Sequence, residues 1–268
     1  MDTQLTGRTA LVTGASQGIG EAIARALHAE GAKVALLARS DKKLATIADD
    51  LGDGAFAIGG DVTDDESLGR SLATIEAKLG PIDIVVNNAG GLRSSTGGLF
   101  RPFEDVPDAD WLETWEFNVL SVVRVVRALA PAMAERGWGR IINISSESGI
   151  QPDAVAIEYA SAKSALNILT KGIAKTYANR GVLANVVSPA YVDTPIVRDL
   201  LAQQEGAERL SRDELAAHFL PFLRPNIGVG RPGRTQDVAA AVVFLASEQA
   251  SFITGTNLRV DGGSVMAI

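Results

Sequence analysis

At 268 residues, with 46% apolar and 21% charged side chains, the chain is long enough for one large α/β domain and too apolar for disorder outside its ends. Its net charge of −7 leaves no basic field for a nucleic-acid backbone. Having no cysteine, it is excluded from disulfide frameworks and thiolate metal sites, which fits a reducing cytoplasm.

The residues from Met1 to Arg8 contain no apolar run, and no later stretch approaches the ~20 uninterrupted apolar residues of a membrane span. A soluble, cytoplasmic protein is expected. The only histidines, His28 and His218, are far apart and form no ligand pair, so no metal site is expected.

Short β-type runs alternate with helical stretches along the chain. The runs are Ala10-Leu11-Val12, Val34 to Leu37, Ile82 to Val86, Ile141 to Ile144, Leu183 to Val187 and a last one at Asn257 to Val260. Nearly continuous apolar strands spaced by helices predict a doubly wound α/β fold, a mainly parallel sheet covered by helices on both faces. A single Rossmann-type domain over 1–268 is expected, with ligands beyond the carboxyl ends of the strands.

The first helix is predicted over Gly18 to Ala29. His28 in its last turn complements the helix dipole, and Gly31 takes the left-handed cap, so His28 is read as structural. Two long helices are predicted, about Asp110 to Arg136 and Glu158 to Arg180. The first carries Val119, Val122, Val123 and Val126 at helical spacing, more apolar surface than one sheet face needs, which predicts a subunit interface.

Chemistry-bearing residues gather at the predicted strand ends. Gly14, Ser16, Gln17, Gly18, Ile19 and Gly20 make a glycine-rich turn between a strand and a helix, where backbone can approach a pyrophosphate and the helix N-terminus attracts its charge. Alone, such a turn is also read as merely tight. Asp61 and Val62 follow a further predicted strand between Leu37 and Ile82, the third in chain order, and Asn88, Ala89 and Gly90 follow the fourth, Ile82 to Val86, around the same crevice. Tyr159 and Lys163 are four residues apart, hence on one helix face. A cation beside a phenol favours phenolate and lowers its pKa toward the working pH, so that the phenol can exchange a proton with a substrate oxygen.

The ordered set of the Thr13 to Gly20 turn, Asp61-Val62, Asn87 to Gly90, Asn118, Ser146, Tyr159-x-x-x-Lys163 and Pro189 to Thr194 resembles the short-chain dehydrogenase/reductase family, 3-oxoacyl-carrier-protein reductases in particular, from about Gly7 to Gly263. The resemblance implies hydride transfer between a nicotinamide cofactor and a carbonyl or secondary alcohol. It implies that Asp61 faces the adenine, that the Asn-Ala-Gly turn lines the ribose, and that Pro189, Val192 and Thr194 flank the nicotinamide amide. It also implies that Lys163 bonds the nicotinamide ribose. One departure is Ala190 where the family usually has glycine.

Arg39 offers a planar fork of donors for a 2′-phosphate, with Ser40 beside it and no acid at position 38, so NADP(H) is favoured over NAD(H). The other reading has Arg39 solvated and stacked on adenine while Ser40 or Asp41 caps the next helix, and the uncharged Gln17 fits it. In the chemistry, Tyr159 donates the proton and Ser146 a hydrogen bond to the developing alkoxide. Asn118 would anchor a water between the lysine and solvent, or simply bond its own helix.

Two variable segments are expected to define the substrate. Segment 91–107 includes Arg93, Gly97, Gly98 and Arg101 and is read as a lip, Arg93 being expected in solvent unless it binds an acidic group. Segment 196–230 contains a polar helix near Glu205 to His218, then Phe219 to Leu223. Glu147 either bonds a hydroxyl or amine of a polar substrate or turns outward, and Tyr191 is a further substrate-side candidate. The rival functions are an NAD-dependent alcohol dehydrogenase, an epimerase or dehydratase, and a non-catalytic dinucleotide sensor or scaffold. A homotetramer built partly from the helices containing Val122 and Ala165 is expected, with no nucleic-acid or membrane partner.

Overall fold

Seven parallel strands form one sheet in the order β3-β2-β1-β4-β5-β6-β7. They are β1 Thr9–Thr13, β2 Lys33–Ala38, β3 Ala55–Gly59, β4 Ile84–Asn87, β5 Gly139–Ile144, β6 Val182–Pro189 and β7 Asn257–Val260. The computed structural model describes residues 2–94 and 101–267. The helices are α1 Gly18–Ala29, α2 Asp41–Leu51, α3 Asp65–Leu79, α4 Asp108–Trp115, α5 Ser121–Glu135, α6 Ile157–Tyr177, α7 Pro195–Leu201, α8 Leu215–Leu223 and α9 Thr235–Ala246.

The apolar runs make buried strands because each face of the sheet meets helices. In β1, Ala10 and Val12 join one core with Ile23 and Leu27 of α1 and Val238 and Val242 of α9. Leu11 points the other way, into a core with Leu72 and Ile75 of α3, Val122 and Leu129 of α5 and Leu166 of α6. Each fully buried Leu or Ile contributes about 1.5–3 kcal/mol from removal of apolar surface from water. Strand order reverses between β1 and β4, so their carboxyl ends diverge into a crevice, the position at which such sheets bind ligands.

The first helix matches its predicted bounds. His28 Nε2 bonds the Asp53 carbonyl at 2.8 Å, and Gly31 has φ +84°, as a left-handed cap requires. The second predicted helix is two α-helical segments, α4 and α5, joined by a π-turn at Glu116–Leu120. Together, Asp108–Glu135 is long and apolar enough to cross a membrane by length and hydropathy, although Arg124 and Arg127 interrupt it and its apolar face packs into the core. Of the four valines expected to be in surplus, Val119, Val122 and Val126 are buried within the chain, because α5 is covered by both the sheet and its neighbouring helices, while Val123 is half-buried.

The polar helix expected near Glu205 to His218 is also absent. Gly206 adopts φ +85° and is followed by a single 3₁₀ turn. The Ser211 N–H and hydroxyl both donate to Glu214, at 2.9 and 2.7 Å, and helix α8 starts only at Leu215. Phe219 to Leu223 belong to that helix.

Candidate active site

The glycine-rich turn is fastened to β4 through side chains that the sequence places at the two strand ends. Thr13 Oγ1 accepts from the Asn88 and Ala89 N–H groups at 3.1 and 3.0 Å. Asn88 Nδ2 returns bonds to the Thr13 and Gly14 carbonyls at 3.0 and 3.1 Å. Glycine is required by this closeness: Gly14 has φ +66°, and a Cβ there would lie 2.9 Å from Asn88 Nδ2. A Cβ at Gly20 would collide with the Gly14 carbonyl. No side chain caps the start of α1, whose first residues Gly18, Ile19 and Gly20 line a cavity of about 1050 Å³.

That cavity collects every residue expected for cofactor or substrate. Ser16, Gln17, Arg39, Ser40, Asp61, Val62, Asn88, Ala89 and Gly90 line one part, with Ser146, Glu147, Tyr159, Lys163, Pro189, Tyr191, Val192 and Thr194. Asn118 alone among the expected site residues does not line it.

Asp61 Oδ1 accepts from the Thr63 N–H and hydroxyl at 2.9 and 2.7 Å. Burial pushes its carboxyl up, but the Thr63 bonds, with the Arg39 and Arg93 guanidiniums, outweigh burial and leave the pKa below the ordinary value. Arg39 is exposed at this end, and Ser40 starts α2 without a side-chain capping bond. Lys43 Nζ reaches Gln17 Oε1 at 3.1 Å. It adds a cation beside the uncharged Gln17 that sequence reading missed, since only α2 brings it across.

Arg93 is not the solvated loop arginine expected. Its guanidinium stacks 3.7 Å above the Phe117 ring and pairs with Glu113 at 3.7 Å. Burial, and next the Arg39 charge, hold its pKa below the ordinary arginine value. Arg101 pairs with buried Asp110 at 3.2 Å, fixing the far end of segment 91–107, whose Gly97 and Gly98 lie outside the described residues.

The catalytic candidates are set by β5 and α6. A buried chain runs from Asn87 Nδ2 to Asn143 Oδ1 at 2.8 Å, and from Asn143 Nδ2 to Thr170 Oγ1 at 2.8 Å, tying β4, β5 and α6 together below the site. The Ser145 hydroxyl donates to the Lys163 carbonyl at 3.2 Å. Gly149, overlooked in the sequence, lets the turn after Ser146 touch α6: a Cβ there would be 2.8 Å from the Lys163 carbonyl carbon. Ser146 Oγ accepts from the Ser148 N–H at 3.1 Å.

Lys163 Nζ lies 5.6 Å from the Tyr159 ring centre and donates to the Ile144 carbonyl at 2.9 Å. The charges run opposite to expectation. Burial raises the Tyr159 phenol above its ordinary value, partly opposed by its hydrogen bond with Ser146, and burial lowers Lys163 to about 7. In the protein alone, loss of hydration outweighs the mutual effect of the two groups.

A stability consequence follows from Lys163. Between pH 7 and 10.5 the unfolded chain binds a proton here that the folded chain does not. Stability therefore rises with pH in that window, and the penalty is full below about 7. Urea unfolding of the parent and of Lys163→Met should show their stability gap moving in the parent's favour by roughly 1 kcal/mol per pH unit above 7. A gap independent of pH would contradict this.

Asn118 is 1% exposed in the π-turn, and its amide bonds backbone groups. Nδ2 donates to the Gly91 and Thr114 carbonyls, both at 2.8 Å, and Oδ1 accepts from Gly91 N–H at 2.9 Å. A Cβ at Gly90 would lie 2.9 Å from Asn118 Oδ1 and 3.0 Å from Lys163 Nζ, so Asn118 acts on the site by positioning that turn.

The end of the cavity expected to take substrate is walled by α7 and α8. Thr194 Oγ1 accepts from the Val197 N–H at 3.3 Å and starts α7, while Ile196, Leu200, Phe222 and Leu223 line the cavity. His218 is exposed and lies edge-on to Phe219 with ring centres 5.0 Å apart. Glu147 neither turns outward nor waits unpaired: its Oε1 accepts from Arg224 Nε at 2.6 Å.

The residues fit a dinucleotide. A glycine-rich turn leads into an uncapped helix start, with the Arg39 cation at one end of the cavity and the buried Tyr159 and Lys163 pair elsewhere in its lining.

Comparison with known proteins agrees with this geometry. A family model described as enoyl-(acyl carrier protein) reductase matches residues 14–265. The chain is 40% identical over 260 residues to a 3-oxoacyl-[acyl-carrier-protein] reductase of Salmonella typhimurium, covering 97% of this chain and 98% of the relative. It is 36% identical over 263 residues to nodulation protein G of a Rhizobium species, covering 98% and 99%. A solved structure titled "short chain dehydrogenase/reductase family protein" superposes with a TM-score of 0.82 at 32% identity, covering 98% of this chain and all of that one.

Proposed function

The chain belongs to the short-chain dehydrogenase/reductase family of NAD(P)-dependent oxidoreductases, and on that premise we propose that it is an NADP(H)-dependent ketone reductase, interconverting a carbonyl and a secondary alcohol. The carrying observation is that one cavity holds the glycine-rich turn and the Ser146, Tyr159 and Lys163 group. Relatives named as 3-oxoacyl reductases support a ketone as the reacting group.

When bound, the nicotinamide supplies the hydride. Tyr159 gives its phenolic proton to the substrate oxygen, and the Ser146 hydroxyl donates a second bond to the same oxygen as charge develops there. Lys163, about half-protonated near pH 7 in the protein alone, is poised to take up or return a proton behind the tyrosine, and it would hold the nicotinamide ribose. Pro189, Val192 and Thr194 would orient the nicotinamide amide, Asp61 and Val62 would hold the adenine, and Arg39, with Lys43 nearby, would meet the 2′-phosphate. Tyr191 and Glu147 lie on the substrate side. The test is NADPH and NADH oxidation with β-keto esters, cyclic ketones, quinones and sugars. NADPH-dependent reduction of a ketone is expected, and no hydride transfer to any of them would refute the reading.

The assembly is a homotetramer. Leu112 and Trp115 on α4 and Ile168 on α6 are 71%, 41% and 75% exposed, an apolar face of the kind that subunit contacts cover. Light scattering is expected to give four times the 28.0 kDa chain mass, and a monomer would refute it.

A further inference from the structure

Glu147 follows Ser146 directly, and its side chain is only 6% exposed. Oε1 takes the Arg224 bond, whereas Oε2 is buried, has no hydrogen-bond partner, and belongs to a residue that lines the cavity beside Ser146 and Tyr159. Arg224 cannot turn to it. Its Nη1 donates to the Leu223 carbonyl at 2.7 Å and its Nη2 to Asp153 at 2.5 Å. One guanidinium between two carboxylates leaves this corner with one net negative charge.

Tyr191 lines the same cavity, and its Oη is likewise buried without a partner. Burial pushes this phenol up to about 12, Asp193 adding to the rise and Arg224 opposing it. At neutral pH the phenol is therefore protonated and able to donate. A carboxylate oxygen accepts only, and a phenol can donate. A hydroxyl can donate to the one kind of group and accept from the other.

We propose that the substrate is a ketone bearing a hydroxyl on the carbon beside the carbonyl or one carbon further, recognised by Glu147 Oε2 as acceptor and Tyr191 Oη as donor. This rests on the ketone-reductase reading above and narrows it. A 3-oxo thioester offers carbonyl oxygens, which can accept from Tyr191 but leave the Glu147 carboxylate without a donor. The apolar wall of Ile196, Leu200 and Phe222 takes the remainder of the molecule.

The test compares kcat/KM with NADPH for an α-hydroxy ketone, its methyl ether and the parent alkyl ketone of equal chain length. The parent enzyme is expected to prefer the hydroxy ketone over both by at least about tenfold, since a site built to bond a hydroxyl rejects analogues lacking one. Glu147→Gln removes the charge at nearly constant volume, and Tyr191→Phe removes the donor without touching the ion pair. Each is expected to cut the hydroxy-to-alkyl ratio several-fold. If Glu147 only straps α8 in place, both substrates suffer alike and the ratio holds, which overturns the proposal, as does equal use of the three ketones. Reduction of no ketone, with NADPH binding retained by fluorescence, would instead bring down the ketone-reductase reading, and this proposal with it.

Discussion

Tyr159→Phe is expected to lower turnover by about 10³-fold or more while leaving NADPH affinity within about twofold. The phenol is the proton donor for the developing alkoxide, and the variant keeps the ring that fills its place above Lys163. Ser146 still offers a hydrogen bond to the substrate oxygen, but a hydrogen bond does not replace a transferred proton. Single-turnover hydride transfer, followed at the nicotinamide absorbance, together with fluorescence titration of NADPH, separates the two effects. Activity retained in the variant would remove Tyr159 from the chemistry.

Arg39→Asp is expected to weaken NADPH binding by about 10- to 150-fold, the effect of losing a hydrogen bond to a charged group worth about 1.5–3 kcal/mol. NADH affinity should hold or improve, because an acid at this place can accept from an unmodified ribose. The residue is exposed and leaves the core untouched, so folding is not in question. Dissociation constants for both cofactors in parent and variant decide it. A parent that binds and turns over both equally would count against the 2′-phosphate role.

The central strands were legible in the sequence because they are buried on both faces, which forces nearly continuous apolar runs such as Ile84 to Val86, whereas β3 is only partly buried. The cavity lining was legible for a related reason, since motifs at successive carboxyl ends must converge on one edge. Contacts made across long separations were not legible. Glu147 meets Arg224 from 77 positions away, and Lys43 meets Gln17 across 26.

Arg93 reads as a loop cation until Phe117 and Glu113 close over it. The directions of the Tyr159 and Lys163 shifts depend on how much water each loses, which adjacency on a helix does not encode. The helix expected through Glu205 to His218 failed at Gly206, whose left-handed backbone ends the winding, and the Ser211–Glu214 pair then holds an alternative turn.

The π-turn at Glu116–Leu120 sets the rotational phase between two halves of one long helix. Removing a single residue from it would restore ordinary winding and rotate the α4 half by about 100° relative to α5. The downstream valines would keep their seats in the core, while the Thr114 carbonyl swung away from the Asn118 amide and the grip on Gly91 was lost. Evolution can therefore exchange side chains along this element far more freely than it can change the count of residues within it.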